Sequence, residues 1–191
     1  WQQFSVKGRM TNHVTVITVT HNSGLVIGAL LDSLPAQIPL VVVDNASTDD
    51  TLEIVRTKRP DASILCNSTG LGYGRAASRG LKFVATEFAL LVNPDSLLSD
   101  TAISALIDSA EKFPNAAMLG PIHKTVGGEI EASHDVELWK RSHYGKRSVE
   151  PVPEGPICVE FLSGAIILVR TSVIQLVGFY DPEIFLYFED D

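Results

Sequence analysis

Several short clusters in this chain could do chemistry, and four of them come at or soon after the end of an apolar run. They are Thr20-His21-Asn22-Ser23, Asp44 to Asp49, the glycine-rich Gly70 to Arg75, and Asn93-Pro94-Asp95. A carboxylate such as Asp95, placed straight after an apolar strand, can hold a hard divalent cation through oxygen, with diphosphate oxygens completing the shell. The same tripeptide also suits a plain turn in which Asp95 caps the next helix. Asp44 can accept hydrogen bonds from a pyrimidine or a ribose, and Ser47 and Asp49 can order the turn or touch the nucleoside. An Asx-rich helix-capping turn is the alternative there. Arg75 can grip a diphosphate bidentately, or simply stand exposed at a helix start. Glu189-Asp190 follows the aromatic-rich run Phe185-Leu186-Tyr187-Phe188. A carboxylate beside apolar rings suits a general base; a frayed acidic tail is the plainer reading.

The glycines of Gly70-Leu71-Gly72-Tyr73-Gly74 do not make a dinucleotide fingerprint. That motif needs GxGxxG after the first strand and an acidic residue after the second. Here the spacing is GxGxG and the turn follows the third strand, so a turn with positive φ and close backbone approach is expected. His21 ends the first strand with no visible metal partner and is read as a hydrogen-bonding residue of the rim.

These clusters need a frame that presents them together. His13–Thr20, Leu40–Val43, Ser63–Cys66, Phe88–Val92 and Ala116–Pro121 read as strands. Leu25–Leu34, Thr51–Lys58, a segment from the glycine turn to about Ala85, and Thr101–Phe113 read as the helices between them. Lys124–Glu131 carries Gly127-Gly128 and reads as a hairpin. Trp139–Pro156 reads as a polar, basic, mobile excursion. Phe161–Arg170 returns to strand character, followed by a short helix Thr171–Val177 capped by Gly178. Repeated strand–helix units predict an α/β fold, a mostly parallel sheet with helices on both faces. Ligands of such sheets bind outside the carboxyl ends of the strands, which is where the polar clusters fall.

Bulk properties narrow the function. With 15 basic and 23 acidic residues the net charge is -8, which disfavours nucleic acid as a partner. A divalent ion can still bring an anionic nucleotide to an acidic protein. Cys66 and Cys158 lie in apolar runs and far apart, so buried free thiols are expected and zinc is not. No run of residues is long and apolar enough to span a membrane. Trp1–Arg9 precedes Met10 and reads as an expression remnant, leaving residues 10–191 as a single domain.

Taken in order, these segments resemble the family 2 glycosyltransferases, especially the bacterial rhamnosyltransferase-like branch. VTVITVTHNS is similar to the family's first strand and turn, VVVDNASTDDT to its nucleoside-binding segment, and NSTGLGYGRAASRGLK to its glycine-rich segment. LLVNPDS resembles its metal-binding Asp motif, and FLSGAIILVRTSVIQLVGFYDPEIFLYFEDD its acceptor-side segment ending in a Glu-Asp pair. The resemblance implies a GT-A fold, Rossmann-like, with a UDP- or dTDP-linked sugar donor and Mg²⁺ or Mn²⁺. It implies donor binding by Thr20, Asn22, Asp44, Asn45, Ser47, Asp49, Gly72, Arg75 and Asn93, with Asp44 at the base. Asp95 would hold the metal; Asn93 stands where relatives often have a first Asp. Asp190 would be the catalytic base, assisted by Glu189, in a single inverting displacement. The acceptor would be a saccharide or lipid-linked saccharide in surface-polysaccharide assembly. The expected location is the cytoplasm, with any membrane contact peripheral and on the inner face. Family members continue beyond the Glu-Asp pair, so the chain looks C-terminally truncated.

Two other classes compete. A sugar nucleotidyltransferase normally carries an Arg- or Lys-bearing glycine-rich loop after its first strand, where this chain has Thr20-His21-Asn22-Ser23-Gly24. A non-catalytic nucleotide-sugar-binding module would bind nucleotide without transfer.

Overall fold

The computed structural model describes residues 13–99, 101–131, 134–135 and 154–184. Trp1–Arg9, most of the Trp139–Pro156 excursion and the Glu189-Asp190 pair lie outside the described residues.

A six-stranded sheet forms the centre. Its strands are β1 (Val14–Thr20), β2 (Leu40–Asp44), β3 (Ser63–Cys66), β4 (Phe88–Val92), β5 (Met118–Leu119) and β10 (Ile166–Arg170). Their spatial order is β3-β2-β1-β4-β10-β5. The first four strands in sequence run parallel, and β10 is antiparallel to both β4 and β5. Helices α1 (Gly24–Ser33), α2 (Thr51–Lys58), α3 (Tyr73–Phe83) and α4 (Ala102–Lys112) connect the strands, and α5 (Thr171–Val177) follows β10. Two small antiparallel pairs stand apart from the main sheet: β6 (His123–Lys124) with β7 (Ile130–Glu131), and β8 (His134–Asp135) with β9 (Phe161–Leu162).

Side chains alternate across a strand, so a strand buried on both faces must be apolar at nearly every position. The central strands obey this. Val16, Val42, Leu90 and Leu168 enter one cluster, which α1, α2 and α4 cover through Leu30, Val55 and Ile107. Their chain neighbours Ile17, Val43, Leu91 and Val169 enter the other, covered by α3 and α5 through Ala77, Leu81 and Ile174. Each fully buried Ile or Leu here contributes about 1.5–3 kcal/mol of burial energy. The fold is the mostly parallel α/β sheet predicted.

Three expectations need correction. The segment Phe161–Arg170 is not one strand: Phe161–Leu162 pairs with β8, and only Ile166–Arg170 joins the main sheet. The fifth strand is confined to Met118–Leu119 and pairs with β10 rather than extending the parallel series. Both cysteines are free but exposed, not buried. Cys66 ends β3, which lies at the sheet edge and is only partly covered along its length. Cys158 falls in irregular chain before β9.

Candidate functional site

The parallel register brings the polar strand ends level. Thr20 pairs with Asp44, and Asp44 with Cys66, so β1, β2 and β3 end in one row. The next residues, His21, Asn45 and Asn67, stand just beyond the sheet on its carboxyl rim. Asp44 is only 2% exposed. Thr20 Oγ1 donates to its Oδ1 at 3.0 Å, and the Ser47 backbone N–H donates to its Oδ2 at 3.0 Å. Each carboxylate oxygen therefore keeps one acceptor direction unused. The backbone turns sharply beside it, with Ala46 at φ 65°.

The first two turns are sewn together. The Asn22 N–H donates to Ser47 Oγ at 2.9 Å, and Asn22 Oδ1 accepts from the Thr48 N–H at 2.8 Å. Asn22 holds φ 49°, a conformation its short amide tolerates better than most side chains do. Asp49 accepts from the Gly24 N–H at 2.9 Å, the Thr51 N–H at 3.1 Å and Thr51 Oγ1 at 2.5 Å. The Thr51 hydroxyl bond is the main reason the Asp49 carboxyl sits below its ordinary range. Asp49, not the N-cap residue Asp50, supplies the side-chain bond at the start of α2. Gly24 allows this approach: a Cβ there would lie 1.9 Å from Asp50 Oδ1.

Asn45 ties the second turn to the glycine-rich one. Its Oδ1 accepts from the Leu71 N–H at 2.8 Å and from Asn67 Nδ2 at 3.1 Å, and its Nδ2 donates to the Gly72 carbonyl at 3.3 Å. Asn67 in turn accepts from Arg79, which also donates to the Cys66 carbonyl at 2.7 Å. Gly72 has φ 81° and ψ 165°, which L side chains rarely adopt, and so opens α3 where another residue would be strained. Arg75 is exposed, but its Nε donates to the Pro182 carbonyl.

Asn93-Pro94-Asp95 leaves β4 at the same rim. The Asn93 N–H donates to the Ala165 carbonyl at 2.9 Å, which sets the Ser163-Gly164-Ala165 turn beside the motif. Asn93 is half-buried and Asp95 exposed. Neither side chain is engaged with another described residue. A free carboxylate with an amide oxygen two residues away is a hard-oxygen donor set, which fits Mg²⁺ or Mn²⁺. Among the described residues no group of three His, Cys, Asp or Glu side chains could hold a metal alone. Ligand oxygens, of the kind a diphosphate supplies, would suit the rest of such a shell.

Thr20, Asn22, Asp44, Asn45, Ser47, Asp49 and Gly72 are thus joined in one hydrogen-bonded rim, with Asn93 and Asp95 just beyond the end of β4, the strand next to β1. Glu189 and Asp190 lie outside the described residues. Asn67, a polar strand-end residue of this rim, and Arg79 also belong to the network, though neither is among the sequence-predicted site residues. The position of Asn67 at the end of β3, level with Asn45, was the available signal. Nothing local to Arg79 announces that it reaches back to β3.

The glycosyl transferase family 2 model matches residues 15–169. The N-acetylglucosaminyl-diphospho-decaprenol L-rhamnosyltransferase of Mycobacterium tuberculosis is 29% identical over 214 residues, covering 95% of this chain and 69% of that protein. Among solved structures, S. aureus TarS 1-349 superposes with a TM-score of 0.69 at 24% identity, over 93% of this chain and 52% of that one. TarS has also been solved in complex with UDP-GlcNAc. The mannosyltransferase PcManGT of Pyrobaculum calidifontis, in complex with GDP-Man and Mn²⁺, gives 0.66 at 17% identity, over 90% of this chain and 48% of that one. The chain spans about half the length of these structures, and its sheet and helices are those of the GT-A fold. It belongs to glycosyl transferase family 2.

Proposed function

We propose that this chain is the nucleotide-sugar-binding core of an inverting glycosyltransferase that moves a sugar from a UDP- or dTDP-linked donor to an acceptor hydroxyl. The observation that carries the reading is a pair of carboxylates in unlike settings on one rim. Asp44 is buried and braced by Thr20 and Ser47, as suits a fixed acceptor for the N–H of a pyrimidine base. Asp95 is exposed and unengaged by any described residue, as suits an ion shared with a diphosphate.

The turn residues divide the work. Asn22, Ser47 and Asp49 hold the first two turns in register, and Asn45 sets the backbone of Leu71 and Gly72 against them. A rim fixed in this way binds the nucleoside without an ordering cost at each encounter. Asn93 and Asp95 would hold Mg²⁺ or Mn²⁺, which when bound offsets negative charge on the departing nucleoside diphosphate. Asp190 takes the acceptor hydroxyl proton, with Glu189 assisting. The hydroxyl oxygen bonds to the anomeric carbon as the bond to the diphosphate oxygen breaks. One displacement without an enzyme nucleophile inverts the configuration.

The acceptor is proposed to be a saccharide on a lipid diphosphate carrier, by analogy with the named substrate of the mycobacterial relative. Among the described residues no helix is long and apolar enough to cross a membrane. The placement proposed is peripheral, on the cytoplasmic face, where nucleotide sugars are available. The test is acceptor-dependent release of UDP or dTDP from the sugar donor, with Mn²⁺ and a lipid-diphosphate-linked saccharide in vesicles. Transfer with inverted anomeric configuration is expected. Nucleotide binding without acceptor-dependent release would make the chain a binding module instead.

A further inference from the structure

The segment after α5, Gly178–Ile184, is fastened to α3 by three contacts of different kinds. Arg75 Nε donates to the Pro182 carbonyl at 2.5 Å. The rings of Tyr73 and Tyr180 meet edge to face, 6.1 Å apart and at 72°. Lys82 Nζ stands 4.9 Å from the centre of the Phe179 ring. Tyr73, Phe179 and Tyr180 also pack against the apolar cluster beneath α3. Gly178, at φ 108°, turns the chain out of α5 into this path.

Tyr73 comes directly after Gly72, whose carbonyl Asn45 holds, and Arg75 follows in the same first turn of α3. A guanidinium grips a diphosphate side-on through Nε and one Nη, or end-on through both Nη groups. With Nε–H given to Pro182, the side-on mode is closed. We infer that Arg75 is a positioning residue, tying Phe179–Ile184 to the glycine-rich turn through the Pro182 carbonyl, with only the end-on mode left open towards a diphosphate. The turn that holds the nucleotide and the chain leading towards Glu189-Asp190 are thereby joined in one unit. Calling that turn the donor side rests on the function proposed above; the tie itself does not.

Hydrogen exchange and calorimetric titration on the full chain test this with Arg75→Ala and Tyr180→Ala, using UDP and dTDP with Mn²⁺ as probes. Amides of Phe179–Ile184 should exchange about tenfold faster in both variants, while β1 and β2 keep their protection. Nucleotide affinity should respond alike in the two variants. Unchanged exchange at Phe179–Ile184 in Arg75→Ala would overturn the inference. So would faster exchange spread over β1 and β2, which marks a general loss of stability. A tenfold loss of nucleotide affinity in Arg75→Ala but not in Tyr180→Ala would restore the diphosphate contact. If the unaltered protein binds neither nucleotide, the donor-site reading fails while the exchange result still decides the tie.

Discussion

Thr20 and Asp44 end adjacent parallel strands as register partners, and the Thr20 hydroxyl donates to the Asp44 carboxylate at 3.0 Å, both side chains being buried. Thr20→Val keeps the shape and removes the donor, leaving a buried carboxylate oxygen short of one bond. Such a loss costs about 1–3 kcal/mol. The urea midpoint should fall accordingly, and affinity for UDP or dTDP should fall with it. An unchanged midpoint would mean that Asp44 does not need this brace.

Asn45→Ala removes the amide that serves Leu71, Gly72 and Asn67 at once. The expected loss of stability is about 2–3 kcal/mol, because the groups left behind are at least partly buried. Asn45→Asp keeps the acceptor side and loses the donor to Gly72, so it should fall between the two. Denaturant titrations of the three proteins give that order directly; equal stability of Asn45→Ala and the unaltered protein would refute it.

Asp49 makes stability depend on acid. Its carboxyl lies below the usual carboxylate range, chiefly through the Thr51 hydroxyl, so the folded form favours the carboxylate. The sign follows: the stabilisation is present above the unfolded value and is lost as pH falls through the lowered folded one. The difference in Tm between the unaltered protein and Asp49→Asn should be constant near neutrality and shrink below about pH 4. A difference that stays constant down to pH 2 would contradict the assignment.

Two helix glycines should behave oppositely. A Cβ at Gly80 would lie 2.7 Å from Ile17 Cγ2 and 3.1 Å from Val43 Cγ2, where α3 packs on the sheet. Gly80→Ala should cost about 1–3 kcal/mol by overpacking. At Gly28 in α1 a Cβ meets the flexible end of Lys58 at 3.4 Å and Ile54 Cγ2 at an ordinary 3.8 Å. Gly28→Ala should gain about 0.5–1 kcal/mol from helix propensity. Thermal melts that move in the same direction would contradict this reading of α3.

Much of the fold could be read in the chain because its central strands are apolar at nearly every position and are followed at once by polar turns. That pattern places Asp44, Asn45, Asn93 and Asp95 on one rim before any coordinates are seen. The antiparallel direction of β10 could not be read, because Ile166–Arg170 has the same apolar character whichever way it runs. Pairing with β4 and β5 decides it. Nor do the polar turns reveal how their side chains are spent. Asn22, Asn45 and Asp49 bond to neighbouring turns from other parts of the chain, and local spacing carries no record of partners 25 or 26 residues away. The exposure of Cys66 depends on β3 lying at the edge, which is a fact of strand order alone.

Binding of a nucleoside diphosphate at this rim through Asp95 and a divalent ion is tested by calorimetric titration of UDP and dTDP, with and without Mn²⁺, on the unaltered protein and on Asp95→Ala. Mn²⁺ should tighten binding by about tenfold or more, near 1.4 kcal/mol, and Asp95→Ala should abolish this gain. Nucleotide binding that is indifferent both to Mn²⁺ and to Asp95→Ala would contradict it.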